Sequence, residues 1–408
     1  MGLENQPARA STDSPIGRPI WGLAALAVLL VVDGLFLKVN AFRTLYFLDC
    51  GPHLDVAWRI FKGQKPCVDF ITFAPLLHHY LLALFFAFFG FTKTAIWANL
   101  FTLSAGVILM TYFIARQGSV PRALAILAAA LAMTSFNWPF SHPWYNQSSH
   151  FWGIAAVAVW SCGYSTKSRL GRPASSMAAF FCGGLLAFSL MTKPNTGGCY
   201  LLTFLVVFAV SSGRRRELPS YLAGALLGLL CIWILFIPAG DVFLKQVLLY
   251  CKNQSGRLTG VLSAPVLFLR NYYWIAGLAV LLRIPVIGRR HVELLVLFFG
   301  LWAVAIVATF TSTITFETDV ELLGVYAALG FWILGLKPDK PASPSREPQF
   351  RRLLLGALAA WSVVLSLLYA CYAWQLKAWA FPDFVNTFAG DNIDPVGDYT
   401  LQEGPFRG

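Results

Sequence analysis

Apolar stretches of about twenty residues alternate along this chain with short polar segments. Windows at 20–37, 201–211 with its flanks, 221–238 and 294–310 approach or exceed the ~20 residues a helix needs to cross ~30 Å of hydrocarbon. The strands of a membrane barrel would instead show about ten residues of strict alternation, a pattern absent here. The pattern predicts spanning helices near 20–37, 95–114, 123–136, 151–164, 177–191, 198–211, 221–238, 272–282, 292–311, 322–336 and 353–372, about eleven in all. The expected fold class is therefore all-α: a polytopic transmembrane helix bundle with a structured first extracytoplasmic loop and juxtamembrane helices. Composition agrees, because 57% of the 408 residues are hydrophobic and 12% charged, more apolar surface than a soluble chain of this length can bury.

The net charge of +12 would suit a nucleic-acid partner if it formed one patch, but it is spread through alternate loops. Arg116 and Arg122 form the first group, Lys167, Arg169 and Arg172 the second, and Arg214, Arg215 and Arg216 the third. Arg283, Arg289 and Arg290, then Lys337, Lys340, Arg346, Arg351 and Arg352, complete the series. Such loops are retained in the cytoplasm. The intervening loops are poor in Lys and Arg or acidic, as at Glu317, Asp319 and Glu321 and in the tail with Asp383, Asp391, Asp394 and Asp398, and these are expected to face outward. The expected setting is the plasma (inner) membrane, with membrane lipids rather than nucleic acid as partners.

Residues 1–19 are polar, contain Pro7 and Pro15, lack a cleavage-site pattern and read as a disordered cytoplasmic tail. They precede a transmembrane domain at 20–372, and 373–408 form a short extracytoplasmic tail. One apolar stretch, 73–90, is not counted as a span. If it crossed, every later loop would change sides and the basic loops would face outward, unless the amino terminus did too. Pro75, His78 and His79 are also poor residues for a lipid-facing helix. A juxtamembrane segment resolves both points, although the charge rule alone also admits twelve spans with the amino terminus outside.

In the first outward loop, 38–71, Gly51 and Pro52 introduce a helix-like run at 54–61 that Gly63 ends, with Val56, Ala57, Ile60 and Phe61 set for the bilayer surface. The long loop at 239–271 has similar character. Cys50 and Cys67 share the first loop, where a disulfide is chemically admissible and the spacing alone does not decide it.

Candidate chemistry concentrates in that loop. Asp49 follows an apolar segment at the outer boundary, where desolvation would raise its pKa and suit it to take a proton from a sugar or lipid hydroxyl. An aspartate capping the helix after Pro52 is the plainer alternative. Asp55 is explained by Arg59 four residues on, and Asp69 is undecided by position. His53, His78, His79, His142 and His150 all fall near the outer side, but no ligand spacing supports a metal, so no cofactor is expected and a divalent metal is disfavoured. Lys193, between two spans and ahead of Pro194 and two glycines, is placed to bind an anionic head group at a helix amino terminus. Lys252, Arg257 and Arg270 are further anion-binding candidates.

The order of these features resembles the GT-C class of membrane glycosyltransferases, in particular the protein mannosyltransferase and lipid A aminoarabinose transferase branch. The match runs through Tyr46-Phe47-Leu48-Asp49, Gly63-Gln64, Asp69-Phe70, Pro75-Leu76-Leu77 and Phe89-Gly90 to Thr192-Lys193, covering roughly the first half of the chain. The resemblance implies that Asp49 is the catalytic base, that 73–90 is juxtamembrane, and that Lys193 contacts a lipid-linked donor. Two positions depart from the pattern: Cys50 stands where relatives usually carry Glu, and Asn146 where a second aspartate is common.

The expected function is transfer of one sugar, with inversion, from a polyprenyl-phosphate donor to an acceptor hydroxyl at the outer face. Asp49 is the base, Lys193 and Arg257 meet the donor phosphate, and Asp69, Tyr145, Asn146, Gln147 and His53 contact substrate. The alternatives are a transporter or lipid flippase, against which the absence of an internal repeat counts, and an inactive sugar-lipid binding homologue.

Overall fold

The computed structural model describes residues 17–40, 47–70, 72, 77–136, 144–166, 171–211, 214–236, 240, 242–245, 272–284, 291–310, 320–336 and 347–379, with some side chains at helix ends outside the description. The regular elements among these residues are helices: α1 (Gly17–Asn40), α2 (Phe47–Phe61), α3 (Leu77–Phe89), α4 (Lys93–Gln117), α5 (Arg122–Phe136), α6 (Tyr145–Thr166), α7 (Gly171–Thr192), α8 (Pro194–Val210), α9 (Leu218–Phe236), α10 (Tyr273–Leu281), α11 (Val292–Phe310), α12 (Leu323–Gly335) and α13 (Glu347–Trp379). Each stretch predicted to span contains one of them. An isolated bridge between Pro66 and Phe70 is the β pairing among the described residues. The protein is an all-α, polytopic integral membrane bundle. Six described helices, falling in α1, α4, α7, α9, α11 and α13, are long and apolar enough to cross a membrane, whereas α3, α5, α8 and α12 are shorter apolar helices.

Specific contacts fix the helix directions. Trp97 donates from its indole to Gly34 O at 3.0 Å, Ser104 donates to Asp33 at 3.0 Å, and Gly22 lies against Tyr112. The end of α1 therefore meets the start of α4, and the two helices are antiparallel. The chain leaves α1 and enters α4 at the same end of the bundle, so α2 and α3 both lie at that end. With 13 residues, α3 is about 20 Å long, shorter than the hydrocarbon core. It packs against α2 and α4, with Leu82 and Phe86 buried among Leu37, Ala57, Ile96 and Leu100. Gly90, at φ +68°, ends α3, and Thr92 caps α4 by accepting from Ala95 N.

Close backbone approach shapes the centre. A Cβ on Gly224 of α9 would sit 1.9 Å from Phe180 O of α7, and one on Gly183 would sit 2.1 Å from Tyr221 O. These glycines let α7 and α9 touch along their backbones, a packing mode suited to lipid, where helices gain association from contact rather than from water release.

At the end opposite α2 and α3, Arg214 is buried between Glu293, at 2.9 Å, and Glu217, at 3.6 Å, and lies over the rings of Trp160 and Tyr164. Ser175 donates to Glu217 and Ser211 to Glu293. The basic group at 214–216 thus contributes one residue to the interior, where paired carboxylates offset the cost of burying its charge.

Candidate active site

The site forms where the start of α6, the junction of α7 with α8, and the α2–α3 pair converge. Its cation is placed by local sequence. In Thr192-Lys193-Pro194, proline disfavours helical conformation in the residue before it, so α7 stops and Lys193 is extended at φ −148°, ψ 102°. Pro194 then serves as the first residue of α8, where its missing N–H costs nothing. Three residues on, Gly197 allows the first turn of α8 to press on the last turn of α7; a Cβ there would lie 2.2 Å from Leu190 N. The outcome is a helical hairpin with Lys193 as its single-residue corner, fully buried.

Lys193 Nζ stands 5.7 Å from the ring centroid of Tyr145, a cation–π arrangement. His53 also lies against that ring, with centroids 5.3 Å apart, as does Trp144, at 6.0 Å. His53 Nδ1 and His79 Nε2 are hydrogen-bonded at 2.8 Å, and His78 Nδ1 is hydrogen-bonded to Ser148 Oγ at 2.8 Å. All three imidazoles are buried, and their ring centroids lie 5.0 to 5.4 Å from one another. Burial pushes the His53 pKa down to about 4, leaving the ring neutral at pH 7. Asn146 and Thr196 are also buried, and Asn146 Oδ1 and Thr196 Oγ1 have no protein hydrogen-bond partner among the described residues.

A second polar connection lies one turn along α6. His150 pairs through Nε2 with Glu321 at 3.2 Å and through Nδ1 with the Tyr200 hydroxyl at 3.0 Å. Tyr200 in turn packs face-on against Gly153, where a Cβ would meet its ring. This chain joins α6, α8 and the segment before α12.

The residues singled out in the sequence fall into three groups. His53, Tyr145 and Lys193 come together, with Asn146 in the same first turn of α6 as Tyr145. Gln147 is buried and donates to Phe136 O at 3.4 Å, tying α6 to the end of α5. Asp69 is exposed, and its Oδ2 accepts from Lys65 N at 2.6 Å within the turn closed by the Pro66–Phe70 bridge. Asp55 pairs with Arg59 at 2.9 Å, as the four-residue spacing implies. The side chain of Asp49, and Lys252, Arg257, Arg270 and His142, lie outside the described residues, as do 1–16 and 380–408.

The helix of the first loop differs from the sequence reading. The helix there begins at Phe47 and runs through Pro52, so Asp49 occupies its first turn rather than capping a helix that starts after the proline. Pro52 falls in the second turn of this helix, where it removes the bond to the Leu48 carbonyl and its ring crowds that oxygen, a cost that the packing of α2 on α3 offsets. The disulfide that the sequence leaves open is answered at Cys67, which has φ +62° and is a free, buried thiol. His78 and His79, although adjacent on α3, both lie against His53 because α2 lies across α3. Among the described residues, no group of three His, Cys, Asp or Glu side chains is arranged to hold a metal ion.

No family model and no curated protein matches the sequence. Solved structures do match. ArnT from Cupriavidus metallidurans in the apo state aligns over 88% of this chain and 77% of its own, with TM-score 0.53 and 14% identity. The same enzyme bound to undecaprenyl phosphate aligns over 90% and 78%, with TM-score 0.54 and 13% identity. An Archaeoglobus fulgidus oligosaccharyltransferase tethered to an acceptor peptide aligns over 86% of this chain and 55% of its own, with TM-score 0.51 and 11% identity. The chain has the GT-C fold. Within that fold, the polar cluster around Lys193 occupies the end of the bundle at which α2 and α3 sit.

Proposed function

We propose that the protein is a membrane glycosyltransferase that moves one sugar from a polyprenyl-phosphate donor to an acceptor hydroxyl at the extracytoplasmic face. The observation that carries this reading is the fully buried Lys193, cornered between two helices over the ring of Tyr145. A buried ammonium gains most from a fixed anion beside it, and a lipid phosphate leaving group is such an anion. One neighbour in fold is an ArnT bound to undecaprenyl phosphate. In our reading Lys193, with Arg257, neutralises the charge that grows on the phosphate as its bond to the anomeric carbon breaks.

Asp49 removes the acceptor proton, and a single displacement inverts the anomeric centre. Tyr145 contributes an aromatic face, His53 a neutral polar edge, and Asn146 Oδ1 an acceptor for a sugar hydroxyl. Asp69 and Gln147 contribute by shaping the adjoining turn and the α5–α6 junction. The segment at 73–90 is juxtamembrane, its helix resting on α2 and α4.

Purified protein incubated with labelled undecaprenyl-phosphate sugars and candidate acceptors should transfer label, and Asp49→Asn should lower kcat by about 100-fold or more. Undiminished transfer by Asp49→Asn would remove Asp49 as the base. Vesicle uptake of the labelled lipid without any transfer would replace the enzyme reading with transport.

A further inference from the structure

Two buried polar side chains beside Lys193 end in atoms that have no hydrogen-bond partner among the described residues. Asn146, in the first turn of α6, is 4% exposed and Thr196, in the first turn of α8, is 0% exposed. Their orphaned atoms are Asn146 Oδ1 and Thr196 Oγ1. Leaving a buried polar group unpaired costs about 1–3 kcal/mol, so a position that keeps two of them is poor as packing and well suited to a ligand that hydrogen-bonds both.

Two printed contacts fix where these atoms lie. At the α7–α8 corner Lys193 Nζ stands 5.7 Å from the Tyr145 ring, and further along the same two helices His150 Nδ1 is bonded to the Tyr200 hydroxyl at 3.0 Å. Residue numbers rise together between the contacts, so α6 and α8 run in parallel and Asn146 and Thr196 fall between them. Asn146 is four residues before His150, and Thr196 four before Tyr200, so each lies on the face that its helix turns toward the other. The two orphaned atoms therefore line one gap between α6 and α8. Thr196 is three residues past Lys193, about 4.5 Å along the helix, which is within reach of a ring hydroxyl on a sugar whose phosphate sits at that lysine. The gap is polar but uncharged: an amide oxygen accepts, and a hydroxyl donates or accepts. Glu321 is engaged by His150 at 3.2 Å, one turn further in, while Asp55 and Asp69 are taken up by Arg59 and by Lys65 N. A buried ammonium needs a paired anion, which neither Asn146 nor Thr196 provides, and the Lys193 cation repels a second one.

We propose that Asn146 and Thr196 form a sugar subsite that selects an uncharged donor sugar over an amino sugar. One ring hydroxyl of the donor donates to Asn146 Oδ1 and accepts from Thr196 Oγ1, and an ammonium in its place finds no counter-charge. This rests on the transferase reading above, with the donor phosphate at Lys193.

The test uses the full chain in detergent, one acceptor, and undecaprenyl-phosphate donors that differ in the sugar alone: a neutral hexose and its monodeoxy and monoamino analogues. Wild type should use the hexose with kcat/KM about 100-fold or more above that of the amino sugar bearing its nitrogen at the recognised position, and the deoxy donor at that position should show a comparable loss. Asn146→Leu and Thr196→Val should each lower kcat/KM for the hexose by about tenfold or more. Neither should lower it much for the deoxy donor, because the hydroxyl and its partners act as one unit, a coupling that a merely structural role would not give. Thr196→Ser, which keeps the side-chain hydroxyl, should recover most of the loss. Binding of undecaprenyl phosphate, which carries no sugar, should stay within about twofold of wild type in these variants and reports that the fold and the Lys193 corner persist. Equal use of the hexose and all its amino analogues by wild type, or hexose transfer unaltered in both Asn146→Leu and Thr196→Val, would overturn the subsite and leave the transferase reading standing. Absence of transfer by wild type with every donor would overturn both.

Discussion

The ammonium of Lys193 and the ring of Tyr145 meet at 5.7 Å inside the bundle, linking the α7–α8 corner to the first turn of α6. The two residues come from opposite ends of α6 and α7 in sequence order, yet the antiparallel packing of those helices puts them at one level. The tyrosine thus orients the cation from one side, with His53 against the same ring.

Removing the ring should loosen the cation without abolishing the fold. Tyr145→Leu is expected to weaken undecaprenyl phosphate binding by roughly 0.5–2 kcal/mol, while Tyr145→Phe stays near wild type. Lys193→Met should lose most binding. Scintillation proximity or tryptophan quenching with the lipid phosphate measures all three, and equal affinity of Lys193→Met and wild type would exclude an anion site at this corner.

His53 gives stability a definite dependence on pH. Its folded pKa of about 4 lies below the ~6.5 of an unfolded histidine, so between these values the unfolded chain binds more protons than the folded one. The contribution from a neutral His53 is complete above about pH 6.5 and is lost as pH falls toward 4, amounting to roughly 3 kcal/mol. Thermal unfolding midpoints in detergent should fall across that window, and His53→Gln should flatten the decline. Identical slopes in the two proteins would contradict it.

The His150–Glu321 pair is buried, with side-chain exposures of 0% and 4%. Glu321→Ala leaves His150 and the Tyr200 hydroxyl without their acidic anchor and should cost about 3–5 kcal/mol, as expected when one member of a buried pair is removed. Glu321→Gln, which keeps a hydrogen bond, should cost less. Midpoints of thermal denaturation for the two variants provide the comparison.

Gly224 tests the contact between α7 and α9. A β-carbon there lands 1.9 Å from Phe180 O, on backbone that cannot swing aside as a side chain would. Gly224→Val should destabilise by about 1–3 kcal/mol or more and lower yield in the membrane. Gly356, which has nothing within 4 Å of the equivalent position, should accept alanine with little change.

Much of the fold was readable because hydrophobic run length is local information. Every stretch predicted to span contains a helix, and Lys193-Pro194 with Gly197 announced the α7–α8 corner through proline and glycine chemistry. The helix at the first loop was placed too late because Gly51-Pro52 reads as a break, whereas the packing of α2 on α3 carries the helix through the proline. The histidine cluster escaped for a different reason. Whether His78 and His79 both meet His53 depends on how α2 crosses α3, a tertiary relation with no periodic signal. Glu321 likewise read as an outward acidic marker, and only the packing of α12 beside α5 and α4 brings it to His150.

The hairpin of α7 and α8 has its foot in the Arg214, Glu217 and Glu293 network and its tip at Lys193, about 30 Å away. Held at the foot by ion pairs and along its shaft by backbone contact with α9, it behaves as a strut rather than a swinging arm. In the reaction proposed here, a lipid head group arriving at the tip would meet a charge whose position is set from the far end of the bundle, by side chains that never come near the lipid they help to seat.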